Sequence, residues 1–227
     1  MGKKDLFQKR RQGRKKRRHE YLEPRANSFL IVTEGKCTEP SYFRGMEKII
    51  RERIGGIIDI VEQPVIEICG RGQSTSKLID VTEQIVKNAK IIYQNIWVVF
   101  DKDDFVDFDE AIRQARTKGY QVAWSNQSFE YWIYLHFYYS DAALHRTKWV
   151  KKLNDIFKQR QLGAGEYQKN CEDIYELVCK DGGVDRAIRN AKRRMESFDE
   201  NGRKPSEFDP GTTVYKLVED LKKFTER

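Results

Sequence analysis

Two apolar runs in this chain end in acid: Phe29-Leu-Ile-Val-Thr-Glu34-Gly35 and Ile96-Trp-Val-Val-Phe-Asp101-Lys-Asp103-Asp104. Each reads as a buried strand that delivers carboxylates to one edge of a sheet. Hard carboxylate oxygens gathered at such an edge suit a hard divalent cation, Mg²⁺ or Mn²⁺. Asp101 and Asp103 are two apart, so in an extended backbone their side chains point the same way and can share one cation or bridge two. Asp104 points elsewhere and can bind through water. Without a cation, such neighbours repel and raise one another's pKa. Taken alone, Asp-Lys-Asp-Asp reads as a solvated loop with capping acids. The buried strand before it and the earlier acid-tipped strand turn the reading toward a metal site at Glu34, Asp101, Asp103 and Asp104.

The elements that must position these acids alternate along the chain. Ser28 to Thr33 is a strand; Gly35 turns the chain; Thr38 is placed to cap, and Pro40 to sit in the first turn, of a helix with Phe43, Met46, Ile50 and Ile54 at helical spacing. Strands over Val65–Cys69, Ile96–Asp101 and Tyr120–Trp124 alternate with helices over Leu78–Ala89, Asp109–Lys118 and Ser128–Phe137. Four strands separated by helices predict a doubly wound sheet of about four parallel strands, with the site at their C-terminal ends. From Asp141 onward strand signals fade, and four helical segments predict a C-terminal helical extension packed on the same core. The expected organisation is a basic tail over 1–27, an α/β domain over 28–140 and the helical extension over 141–227.

The charge is concentrated in that tail. Residues 1–27 hold eleven Lys/Arg against three acids, which accounts for the whole net charge of +8 and leaves the remainder neutral. The block Arg14-Lys15-Lys16-Arg17-Arg18 reads as an arm that lies along nucleic-acid phosphates, or as a solubilising tail without a specific partner. The four cysteines show no zinc spacing and read as reduced thiols, mostly packing residues; the three histidines are too scattered for a metal cluster. No run is long enough to span a bilayer, and no apolar segment follows the basic N-terminus, so a cytoplasmic protein without a membrane partner is expected.

Further candidates are weaker by type or spacing. Glu130, just after the fourth strand, is placed to serve as another ligand or positioning acid. Gly70-Arg71-Gly72 at a helix start can cradle a phosphate or be an ordinary turn. Lys36 beside Glu34-Gly35 is a candidate phosphate contact. His136, inside Tyr131-Trp-Ile-Tyr-Leu-His-Phe-Tyr-Tyr, reads first as a hydrogen-bonded core residue, and the aromatic stripe around it as core or interface before a base-stacking platform.

Strand-Glu34-Gly35-helix, with Asp101-x-Asp103 on a later strand, resembles the Toprim fold of topoisomerases, primases and OLD-family nucleases. More narrowly, five motifs in order resemble the RloB-like proteins: Ile31-Val-Thr-Glu34-Gly-Lys36-x-Thr38-Glu39-Pro40-x-Tyr42-Phe43, Val99-Phe100-Asp101-x-Asp103-Asp104-Phe105, Ser128-Phe129-Glu130-x-Trp132-x-x-x-His136-Phe137, Tyr167-x-Lys169-Asn170 and Pro210-x-Thr212-Thr213-Val214. These are compact Toprim proteins of bacterial defence and abortive-infection (AbiLii-type) loci, typically encoded beside an AAA/ABC-type ATPase. The resemblance implies a Mg²⁺-dependent phosphodiesterase in which Asp101 and Asp103 hold metal and Glu34 acts as acid/base or added ligand. It covers Lys169 as a phosphate contact.

A nuclease of antiviral defence acting on RNA, such as tRNA, or on DNA is therefore expected, as an oligomer or a single chain. The alternative is a nucleic-acid-binding regulatory subunit of a defence complex without its own catalysis. Deletion of residues 1–25 is expected to weaken binding to a nucleic acid and flatten its salt dependence, as read by fluorescence anisotropy across a salt titration. Unchanged affinity and slope would remove the arm from the binding reaction.

Overall fold

The structure, a computed structural model, describes residues 24–54, 65–70, 75–103, 106–180, 183–198 and 202–224. In chain order the elements are β1 (Pro24–Thr33), α1 (Thr38–Ile54), β2 (Val65–Gly70), α2 (Thr75–Asn88), β3 (Ile92–Asp101), α3 (Phe108–Thr117) and β4 (Gln121–Asn126). Then follow α4 (Phe129–Leu135), α5 (Arg146–Arg160), α6 (Ile174–Cys179), α7 (Gly183–Glu196), a short 3₁₀ turn, β5 (Gly211–Thr212) and α8 (Val214–Lys222). The sheet runs β2-β1-β3-β4-β5, with the first four strands parallel and β5 antiparallel to β4.

Alternation along β1 explains the two layers. Phe29 and Ile31 enter one core with Trp97, Val99 and Ala123, against α1 and the helices from α4 to α8; Leu30 and Val32 enter the other, against α2 and α3. A strand apolar on both faces is the pattern of a central parallel strand. Because β2 lies on one side of β1 and β3 on the other, the strand order reverses between β1 and β3. Clefts in open α/β sheets form outside the C-terminal ends at such a switch point. Glu34 and Asp101 stand at its two sides.

Several sequence expectations need correction. The sheet reaches back to Pro24, so the boundary of the basic tail lies before residue 27. The C-terminal half is not purely helical: Gly211–Thr212 adds β5, tied to β4 by the Ser125–Thr212 hydroxyl contact at 3.0 Å. Thr38 does not cap from outside; it lies in the first turn of α1 and its hydroxyl donates to the Lys169 carbonyl at 2.7 Å. β3 ends at Asp101, and Asp103 turns with φ +40°, so the two aspartates do not share one extended strand face. Cys37 is exposed instead of packed. Among the described residues no helix is long and apolar enough to cross a membrane.

Leu30, fully buried between β2 and β3, tests the core. Leu30→Ala is expected to cost about 3 kcal/mol in chemical denaturation; a loss under about 1 kcal/mol would mean that this layer is not closely packed.

Candidate active site

Three loops meet at the C-terminal edge. The Glu34 N–H donates to the Val99 carbonyl at 2.8 Å, the Lys102 N–H to Ser125 at 2.9 Å and the Asp103 N–H to Gln127 at 3.0 Å. These bonds continue the ladder past the strand ends and hold the segments after β1, β3 and β4 level with one another.

The carboxylates are thereby brought into one electrostatic cluster. Glu34 Oε2 accepts the Asp101 N–H at 3.3 Å. Asp101 Oδ2 turns inward and accepts the Phe129 N–H at 2.9 Å, at the first turn of α4. Glu130, one residue later and 3% exposed, accepts from the Tyr167 hydroxyl at 3.2 Å and pairs with Lys169 Nζ at 3.1 Å through Oε1. Asp103 Oδ1 pairs with Arg146 Nη1 at 2.7 Å. Glu39, buried on α1, lies so close to Gly35 that a Cβ there would stand 2.1 Å from its Oε2. A side chain at position 35 would displace the Glu39 carboxylate from this place.

Burial pushes the Glu34 carboxyl up to about 7 against the opposing Asp101 N–H, and Asp103 and Glu39 add repulsion. Burial likewise raises Glu39 to about 7, helped by Glu130. Asp101 lies well above the usual aspartate value, from desolvation first and then repulsion by Glu39 and Glu130. Burial opposes the charge on Lys169, but attraction to Glu130, Asp101 and Asp103 outweighs it and holds its pKa above the ordinary lysine value.

The expected site residues thus divide. Glu34, Asp101, Asp103 and Glu130 fall at one edge. Lys169 pairs with Glu130, and its side chain stays 63% exposed. Lys36 is exposed beside a cleft of about 460 Å³ bounded by α1 and the segment around Asn170. Asp104, Arg71 and Arg14, Lys15, Lys16, Arg17 and Arg18 lie outside the described residues. His136 is a core residue: Nε2 meets the Tyr42 hydroxyl at 3.0 Å and Nδ1 the Trp132 carbonyl at 3.1 Å, and burial lowers it to about 4. Sequence reasoning missed Glu39, Arg146 and Tyr167 as site residues. Glu39 carried a signal, an acid just before Pro40 in the turn that leaves Glu34-Gly35, and Tyr167 stood in the motif Tyr167-x-Lys169-Asn170; Arg146 joins through tertiary structure alone.

Among the described residues no three acids already converge at metal-ligand distances. The donor set nonetheless suits Mg²⁺, whose sites use one or two carboxylates, several waters and substrate phosphates in place of an all-protein cage. Asp101 and Asp103, with Glu34 beside them, are the residues that would hold it.

The sheet order and acid edge are consistent with a Toprim-like α/β fold. A family model described as RloB-like protein matches residues 29–221, and the chain belongs to the RloB-like family. No curated protein and no solved structure matched the chain.

The raised carboxyls set the sign of a pH dependence. Glu34 and Glu39 bind protons in the folded state that the unfolded chain has already released between about pH 4.5 and 7, so stability falls as pH rises through that window. In EDTA, Tm is expected to be lower at pH 8 than at pH 5.5, and Glu39→Gln to flatten the difference. A Tm that rises with pH in the wild type, or an equal slope in the variant, would contradict this burial.

Proposed function

We propose that this protein is a Mg²⁺- or Mn²⁺-dependent nuclease that hydrolyses phosphodiester bonds of RNA, such as tRNA, or of DNA. The observation that carries the reading is the gathering of Glu34, Glu39, Asp101, Asp103 and Glu130 from separate segments at the switch point of a parallel sheet. Mutually repelling, desolvated carboxylates are costly in a purely structural role. A divalent cation held there supplies charge neutralisation and polarisation of a phosphoryl oxygen. The protein's own groups place the reactants. Asp101 is fixed by the Phe129 N–H, and Glu34, half-buried beside it, would take up or return a proton. Lys169 and Tyr167 hold Glu130 in place. The resemblance to RloB-like proteins supports an antiviral defence setting with an AAA/ABC-type ATPase partner.

A second reading has its own support. Asp103 and Glu130 already hold Arg146 and Lys169, an arrangement that also suits a nucleic-acid-binding regulatory subunit without catalysis.

Incubation of labelled tRNA, single-stranded RNA and DNA with the full chain and Mg²⁺ or Mn²⁺, alone and with its ATPase partner, separates the two. Cleavage is expected, abolished by EDTA and reduced at least about a hundredfold by Glu34→Gln or Asp101→Asn. Cleavage that persists in both variants removes the site; binding with no metal-dependent cleavage under any of these conditions supports the regulatory subunit.

A further inference from the structure

α5 starts at the acid site and leaves it. Its first residue, Arg146, holds Asp103, and its last, Arg160, lies about 21 Å away along the helix axis. The helix carries six bases and one acid. Its buried residues Trp149, Leu153, Ile156 and Phe157 face the core, whereas Lys148, Lys151 and Lys152 recur at three- and four-residue spacing on the exposed face, followed there by Asp155 and, three residues on, Lys158. Among the described residues no carboxylate is paired with any of these four lysines.

Rings are interleaved with this charge. α4 packs between α5 and α7, and its C-terminal end leads into Tyr138 and Tyr139. Tyr138 is 42% exposed, one of only three large apolar or aromatic side chains so exposed among the described residues. The Arg160 guanidinium lies 5.4 Å from its ring centre and donates to its hydroxyl at 3.2 Å. Arg193, on α7, stands 4.2 Å over the Tyr139 ring, and Lys152 stands 5.7 Å over Tyr134. α7 adds five bases against two acids.

A row of unpaired lysines alone would attract any polyanion. The exposed Tyr138 ring and the Arg160 guanidinium near the C-terminal end of α5 add a surface on which a base stacks, and bases are available only where a strand is unpaired. We propose that the exposed face of α5, ending at Tyr138 and Arg160, is the track for a single-stranded segment of nucleic acid, with its phosphates on the lysine row and a base on Tyr138. It rests on the nuclease reading only for the direction of the polymer toward the acid edge; the surface itself is read from charge and ring exposure.

Binding of a fluorescent 12-nucleotide single-stranded RNA and a 12-base-pair duplex, measured by anisotropy in EDTA across a salt titration, tests the track. The proteins are full-length wild type, Lys148→Glu/Lys151→Glu/Lys152→Glu, the corresponding glutamine triple, Tyr138→Ala, and a control, Lys77→Glu/Lys90→Glu/Arg116→Glu, whose changes lie around α2 and α3 on the other side of the sheet. Single-strand affinity is expected to fall about thirtyfold in the glutamate triple, with the log–log salt slope reduced by about 2. The glutamine triple should shift the same way by less, and the control by under about threefold. Tyr138→Ala should weaken the single strand about tenfold without changing the salt slope, and should leave the duplex unaffected. A control that weakens binding as much as the α5 triples, an unchanged slope in those triples, or an equal Tyr138→Ala effect on duplex would overturn the inference. Failure of the nuclease reading is separate: track-dependent binding without cleavage leaves the surface standing, whereas acid-dependent cleavage with track-independent binding leaves only the enzyme.

Discussion

Glu34, Glu39, Asp101 and Glu130 occupy a region where water is scarce and like charges face one another, and their coexistence is the condition under which the remainder of the structure is arranged. A buried carboxylate without compensation is strongly destabilising, and several together are worse. Compensation comes from three sources: the Asp101 and Phe129 N–H groups, the bases Lys169 and Arg146, and uptake of protons by carboxyls whose pKa values are driven upward. None of these is local to a single loop. The parallel strands β1 and β3 must end level, β4 must deliver α4 at the same height, and the segment near Tyr167 must return over the edge.

The aromatic core supplies the rigidity this needs. Tyr42 on α1 is fully buried and meets Phe43, Phe129, Trp132, His136 and Tyr175 edge-on. Its hydroxyl contacts His136, whose other nitrogen is bonded to the Trp132 carbonyl. Because burial holds His136 near 4, the ring stays neutral across the physiological range and the link from α1 to α4 is insensitive to pH there. That link matters because α1 carries Glu39 and α4 carries Glu130. Glu39 and Glu130 are thus set on helices joined by a neutral polar bridge, so their separation is held by packing and not by their own electrostatics.

What could be read from the amino acids follows from how local each signal is. Phe29–Thr33 and Ile96–Asp101 are apolar on both faces, and only a central parallel strand buries such a run, so the sheet and its acid edge were legible. Helices with an apolar stripe were equally plain. β5 was not, since two residues carry no periodicity; it exists because Thr212 finds Ser125 and the Trp124 carbonyl. The turn at Asp103 was misread as extended strand because its positive φ, just past the apolar run, leaves no mark in residue spacing. Arg146 and Lys169 could not be assigned to Asp103 and Glu130, since a partner far along the chain leaves no trace in local spacing.

Charge is organised by place more than by total. Outside the N-terminal tail the sequence sums to neutrality, yet acids crowd the sheet edge while α5 and α7 are rich in bases. At physiological ionic strength fields between exposed charges fade over about 8 Å. A phosphate chain approaching the acid edge therefore meets repulsion only in its last steps, and the far end of α5, some 21 Å away, lies beyond that repulsion. Under the proposed function, a polymer would be held by the distant lysines before its scissile region came among the carboxylates. That order also gives Arg146 a specific place: among the described bases of α5 it is the one paired with the acid cluster, so it marks where the basic surface of the helix gives way to the carboxylates.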